Sequence, residues 1–377
     1  MFPEITISQD NLFQGEVKEI ERTVLFIGVA TDTTPPEMMG KTTPVNTKSD
    51  FIALFGDNVL TANLNAAMLN AGQNWFAYVH VLPDIFTETD FSAAIYKAQN
   101  VASVEGIVST IPVTTKAEVE ALASLRNGII AKRSRWQWLA APVVGLLPDE
   151  LWPDAVARLD TLQKGIAAPG VSLIPLLFGN EIGVYAGRLC NRSVTIADSP
   201  MRVATGAVVE LGSAEKPKDE NGTELGLDTL IALEKSRYSV PCWYDDYDGV
   251  YWSDGRTLDV EGGDFQVIEY LRVIDKMARR IRLKAIPRIG NRSLNSTPAS
   301  IAANKTYFAR VMRDMSKSSQ INGVAFPGEL QPPKDGDVVI TWQTKTKVDI
   351  YAVGRPYGCP KSIGIHIMLD LLLEDEK

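Results

Sequence analysis

Trp136-Gln-Trp-Leu-Ala-Ala-Pro-Val-Val144, the amphipathic stretch from Asp149 to Lys164, and Val171-Ser-Leu-Ile-Pro-Leu-Leu-Phe178 decide the fold between them. Both apolar runs are short and almost uninterrupted, as strands covered on both faces are, and the stretch between them carries the helical period. Strand, helix and strand in that order predict a parallel pair joined by a right-handed crossover.

The same alternation continues towards the N-terminus. The capping box Thr115-Lys-Ala-Glu118 opens a helix running to about Lys132, and Val104 to Ile111 reads as a strand. Before it come a helix from Asp90, taken as its N-cap, to Val101, a strand from Trp75 to Leu82, and a helix in two pieces over Phe51 to Gly72. The compact run Thr23-Val-Leu-Phe-Ile-Gly-Val-Ala30 predicts a buried strand, and the three prolines between Thr31 and Thr47 predict a loop. In the other direction Asn180 to Cys190 predicts a helix. The middle of the chain is therefore expected to be α/β, a doubly wound and mainly parallel sheet.

After Ala197 the pattern changes. Lys216 to Gly226 is charged, contains glycine and lacks periodicity, as an exposed loop does; Tyr238 to Leu258 holds two short strands with turn residues between them. Phe265 to Leu283 is the clearest helix, with Val267, Leu271, Ile274, Ala278 and Ile281 on one face and Pro287 ending it. Pro298 to Lys317 predicts a second helix. A C-terminal α+β region then closes with alternating segments at Val338 to Trp342, Val348 to Ala352 and Ile363 to Leu371. The expected division is an N-terminal arm (1–20), an α/β core (21–260), an α+β region (261–360) and a C-terminal arm (361–377).

Composition excludes several functions. The 377 residues are 45% hydrophobic and 22% charged, enough for a large packed core. A net charge of −8 argues against nucleic acid as a partner, because phosphate binding needs a basic footprint. Cys190, Cys242 and Cys359 are odd in number and far apart, which fits a reducing compartment better than a disulfide framework or a zinc site. The first residues carry no basic-then-apolar leader, and no apolar run reaches the ~18 residues of a membrane span, so neither export nor membrane insertion is expected.

Doubly wound sheets often host enzymes, and the residues for that are missing. The sequence has neither a dinucleotide-binding nor a phosphate-binding glycine loop; Gly28 closes the first strand and reads as a packing glycine. Its two histidines, His80 in a predicted buried strand and His366 in the last alternating segment, are not accompanied by a serine elbow. Aligning Asp245-Asp-Tyr-Asp-Gly249 on an EF-hand loop puts Tyr244 and Gly255 where ligands are required, so the stretch reads as a hairpin turn with solvated carboxylates. No catalytic residue, metal or cofactor is expected.

The long helix is basic. Arg272, Lys276, Arg279 and Arg280 lie opposite its apolar stripe. They read either as a solvated face, with Glu269–Arg272 and Asp275–Arg279 in pairing distance, or as a patch matched to an acidic partner.

Three stretches resemble the contractile tail sheath family. Gly183-Val-Tyr-Ala-Gly-Arg-Leu-Cys-Asn191 followed by Asp198-Ser-Pro200 resembles its helix with an Ala-Gly pair, then Ser-Pro, then a strand, here expected over Gly206 to Leu211. Gly249-Val-Tyr-Trp-Ser-Asp-Gly-Arg-Thr-Leu258 is similar to its Trp-Gly-x-Arg-Thr-Leu hairpin, with Ser253-Asp254 departing from the pattern. Phe265 to Arg282 resembles its long arginine-rich helix. The likeness runs from about Thr23 to the C-terminus and is to the short form without a large inserted domain.

The resemblance implies a structural subunit rather than an enzyme. Such subunits form stacked hexameric rings around an inner tube, exchange terminal arms with neighbours, and contract to drive the tube through an envelope. It further implies an inner tail tube protein, baseplate and tail terminator proteins as partners, and a place in a virion tail made in a bacterial cytoplasm. Ile5, Ile7, Ile363, Ile365, Ile367, Leu369 and Leu371 would be arm residues; Arg272, Lys276, Arg279 and Arg280 would face the tube or a neighbour. The alternatives are a hydrolase-like enzyme on the same fold or a non-contractile tail assembly protein.

Overall fold

The computed structural model describes residues 20–369. The expected N-terminal arm with Ile5 and Ile7, and Leu371 at the other end, lie outside the described residues. The chain runs β1 (Val24–Val29), β2 (Thr42–Asn46), α1 (Phe51–Phe55), α2 (Val59–Ala71), β3 (Phe76–Leu82), α3 (Glu88–Val101), β4 (Gly106–Ser109), α4 (Lys116–Arg133), β5 (Trp138–Val144), α5 (Trp152–Gln163), β6 (Val171–Leu176) and α6 (Glu181–Cys190). These strands form one sheet in the order β2-β3-β1-β4-β5-β6, parallel throughout except for β2.

Alternation along the strands separates two apolar layers. Leu25, Ile27, Leu139 and Leu173 join Leu122, Ile129 and Leu159 of α4 and α5 on one face. Phe26, Val108, Trp138 and Ile174 join Leu64 and Tyr185 of α2 and α6 on the other. With helices on both faces the strands must be apolar on both, and that explains their unbroken runs.

The remainder is α7 (Leu227–Lys235), β7 (Pro241–Tyr244), β8 (Tyr247–Trp252), α8 (Ile268–Ala285), α9 (Pro298–Met315), β9 (Ser319–Ile321), β10 (Val324–Phe326), β11 (Val338–Trp342) and β12 (Val348–Ala352). Three antiparallel hairpins, β7–β8, β9–β10 and β11–β12, stand outside the main sheet. A third apolar cluster, with Val273 and Met277 of α8, Phe308 and Met312 of α9 and Ile340 of β11, holds the C-terminal region together.

Several local expectations are corrected. The segment expected as a loop contains β2, which pairs antiparallel with β3; its Pro44 is tolerated because β2 is an edge strand. Thr87, not Asp90, caps α3: Thr87 Oγ1 accepts from Asp90 N, and the Asp90 carboxylate accepts from Thr87 N, a capping box with Asp90 at its third position. No strand forms over Gly206 to Leu211; that segment is held by Val208 N donating to Val250 O and Asn180 N donating to Leu211 O. Helix α7 was not expected.

Candidate functional site: an ion-paired junction and an unpaired arm

The three stretches that resembled the sheath family meet in space. Gly183 and Gly187 let α6 lie directly against α2: a Cβ on Gly183 would stand 2.3 Å from Asn63 O, and one on Gly187 would stand 2.5 Å from Ala67 O. Asn63 Oδ1 accepts from Gly183 N at 2.9 Å, so the close approach is also hydrogen-bonded. The next residue, Arg188, donates to the carbonyls of Pro200, Arg202 and Gly206 and so fastens the Ser-Pro loop. Pro200 in turn packs on Gly255, where a Cβ would be 2.9 Å from Pro200 Cγ and 2.4 Å from Ile268 Cγ2 at the start of α8. The motif glycines are sites of close approach.

Helix α8 is the strut between the sheet and the C-terminal region. Arg272 Nε and Nη2 donate to Glu105 Oε1 and Oε2 at 2.8 and 2.9 Å, and Nη2 also donates to Leu189 O. Arg22 N donates to Glu105 Oε2 at 2.6 Å. Burial raises the Glu105 pKa, but Arg272 and the other donors outweigh it and hold the carboxyl below its usual range. Asp275 pairs with Arg126 at 3.1 Å, Lys276 with Glu329 at 2.6 Å, and Arg279 with Glu21 at 3.0 Å. Asp275 stays pushed up to about 6 because burial outweighs its cationic neighbours.

This corrects the reading of the basic face. Arg272, Lys276 and Arg279 are buried, Arg272 to 2% exposure, and each is paired inside its own chain. They cannot present a surface to a partner. Their anions are far away in sequence, so helix spacing alone suggested local pairs that the fold does not use. Arg280 is exposed, and it begins the part of α8 that faces solvent.

The C-terminal arm is the opposite case. Its root is fixed by Lys361, whose Nζ lies 2.6 Å from Asp254 Oδ1 and 2.8 Å from Glu269 Oε1. Burial drives the Glu269 carboxyl up, and Lys361 pulls it back. Beyond Lys361 the chain forms no strand within the described residues. Ile363, Ile365, Ile367 and Leu369 are 73, 78, 92 and 81% exposed. The strict alternation that predicted a strand is present, but no partner strand among the described residues receives it.

No group of three or more His, Cys, Asp or Glu among the described residues could hold a metal ion. His80 is buried in β3, with Nδ1 2.9 Å from Thr42 Oγ1, and burial followed by Lys97 lowers its pKa to about 4. His366 is exposed in the arm. Lys361 and Glu105 escaped sequence reasoning, since a lone lysine and a lone glutamate carry no pattern; only the odd Ser253-Asp254 in the hairpin marked Lys361's partner.

Comparison with known proteins agrees with this geometry. The profile for the DUF2586 N-terminal domain matches residues 2–256, and that for the DUF2586 C-terminal domain matches residues 264–372. A protein of Haemophilus phage HP1 (strain HP1c1), named as a tail sheath protein, is 52% identical over 98% of this chain and 99% of its own. The fold is similar to the sheath of the PVC extracellular contractile injection system in its contracted state, with TM-score 0.63, 12% identity and 98% of each chain covered. It is likewise similar to the contracted helical sheath of the anti-feeding prophage, with TM-score 0.61, 15% identity, and 98% of this chain and 99% of that one covered. Because these chains cover one another almost end to end, no large domain is inserted in either. Its motifs, its fold and a near full-length relative place this chain in the contractile phage tail sheath family, in the group described as DUF2586, as a structural subunit and not an enzyme.

Proposed function

We propose that copies of this subunit stack as hexameric rings wound helically around an inner tail tube, and that the rings contract on triggering. The observation that carries the reading is the arm: a row of Ile and Leu side chains, each of the four described ones more than 70% exposed, on a segment with no partner strand among the described residues. An alternating apolar strand left on an open edge is an aggregation hazard, so a working protein covers it. A neighbour's sheet edge covers it best, because strand addition satisfies main-chain hydrogen bonds and apolar side chains together. Ile363, Ile365, Ile367 and Leu369, continued by Leu371, are the C-terminal linker, and Ile5 and Ile7 supply the N-terminal one. The division into arms (1–20 and 361–377), core (21–260) and C-terminal region (261–360) follows this use.

The contact with the tube falls to the exposed end of α8 that begins at Arg280, since Arg272, Lys276 and Arg279 are spent inside the subunit. Baseplate and terminator proteins cap the two ends of the stack, and the subunit is made in the host cytoplasm before it joins the tail. A heterologous contact that repeats with rotation and rise gives an open helical assembly. Negative-stain microscopy of the purified protein tests this: hollow cylinders are expected, whereas discrete particles at every concentration would refute it.

A further inference from the structure

The chain carries two exposed features of opposite charge that its own fold leaves apart. The first is the tip of the β7–β8 hairpin. Asp245 and Asp246 form its turn, with Asp246 in the left-handed region at φ 60°, and Asp248 follows; all three are exposed. Tyr244, Tyr247 and Tyr251 pack against one another in edge-on and tilted contacts with ring centroids 5.6–6.4 Å apart, and Tyr251 Oη donates to Asp248 O at 2.8 Å. The tip is thus a preorganised aromatic platform bearing carboxylates. Gly249 at its base would place a Cβ 2.8 Å from Ala207, so the hairpin is seated on the core region.

The second is a groove of about 900 Å³ in the C-terminal region, between the α8–α9 connection and the β11–β12 hairpin. Arg288, Arg292, Lys345 and Lys347 line it, and no carboxylate does. Between Asp275 and Asp314 the chain contains no acidic residue, in a protein whose net charge is −8. The floor is apolar: Trp342, Phe308 and Ile350 line it, with Ile289 82% exposed at its rim. The indole Nε1 of Trp342 is buried and has no acceptor among the described residues. A site with cations around an apolar floor and an unanswered N–H fits a ligand that brings carboxylates and aromatic rings together.

We propose that the groove of one copy receives the Tyr–Asp hairpin tip of a second copy. No hydrogen bond or ion pair joins tip and groove within the described chain. The contact is heterologous, one surface on the core region and the other on the C-terminal region, so it propagates from copy to copy. It rests on the sheath reading for the existence of an assembly, and it adds to the arms a charge-specific contact that sets their register.

The test is a charge swap in the full chain. The tip variant carries Asp245→Lys, Asp246→Lys and Asp248→Lys, the groove variant Arg288→Glu and Arg292→Glu, and a third protein carries both sets. Circular dichroism and melting temperature verify that each is folded. Polymer is read by sedimentation, and the interface by carbodiimide coupling, which joins adjacent carboxylates and lysines. The tip and groove variants are expected to lose sedimentable polymer, the combined protein to regain it, and wild-type polymer to yield coupled peptides linking Tyr244–Val250 to Lys345 or Lys347 that monomer does not yield. Normal polymer from the folded tip variant overturns the inference. So does loss of polymer in both single variants without recovery in the combined one, or coupling of Lys345 and Lys347 to the acidic C-terminal residues Glu374 to Glu376 instead of the tip. Absence of polymer from wild-type protein would fail the sheath reading itself, a distinguishable result.

Discussion

The first half of α8 and the C-terminal arm invert the usual placement of side chains. Along α8, Glu269, Arg272, Asp275, Lys276 and Arg279 are charged and buried. Along the arm, Ile363, Ile365, Ile367 and Leu369 are apolar and exposed. The difference lies in where their partners are. Each of these five charges meets an opposite charge within the chain; at Arg272 and Glu105 the pairing outweighs desolvation, while at Asp275 and Glu269 it offsets only part of it. The arm's apolar side chains stay 73–92% exposed against the described residues. A subunit that polymerises through its arm, as proposed, needs both: an internal junction complete in the monomer, and a segment for another copy to complete. Lys361 stands where the two regimes meet, tying the root of the arm to Asp254 and Glu269 of the junction.

Breaking the junction has the largest expected effect. Arg272→Ala strands Glu105 in a buried site and should cost about 3–5 kcal/mol of stability, readable in denaturant unfolding. Pairing it with Glu105→Leu, which removes the stranded charge, should recover much of that loss. Next comes His80, a group that burial keeps neutral. Its folded pKa is about 4 against 6.5 for an ordinary histidine. Between those values the unfolded chain binds the proton and the folded chain does not. Its contribution is therefore complete above about pH 6.5 and falls by about 3 kcal/mol as pH drops towards 4. Unfolding of wild type and His80→Gln across this range should show the gap between them narrowing towards low pH, while Asp275 and Glu181, whose carboxyls burial pushes up to about 6 and about 7, are common to both and cancel. A pH-independent gap would contradict the assignment.

Smaller effects sharpen the contrast. Gly187→Val forces α6 away from α2, since its Cβ alone would stand 2.5 Å from Ala67 O, and should cost about 1–3 kcal/mol by thermal melting. Arg280→Ala, two turns along from Arg272 on the same helix but exposed, should change monomer stability by less than about 0.5 kcal/mol. A loss at Arg280 as large as that at Arg272 would mean that burial does not separate the two.

Much of this was legible from residue patterns. The parallel core followed from apolar runs alternating with amphipathic helices, and the Thr115-Lys-Ala-Glu118 box placed the start of α4 correctly. Strand β2 was hidden because Pro44 and the threonines of an edge strand look like loop residues. The misreading of α8 has a different cause. Helical periodicity separates polar from apolar positions, and it cannot tell a solvated charge from one whose partner lies 167 residues away, as Glu105 does from Arg272. The predicted apolar stripe is in fact no better buried than the charged one: Ile274, Ala278 and Ile281 are only half-buried. The arm's alternation was visible, but only the three-dimensional arrangement shows that the described residues offer it no strand.

The most direct test of the central claim removes the arm from Ile363 onward and keeps Lys361. The account predicts that the truncated monomer keeps the melting temperature and circular dichroism of the full chain while failing to form cylinders under conditions where the full chain does. Normal cylinders from the truncated protein, or a truncated monomer that melts several degrees lower, would contradict it.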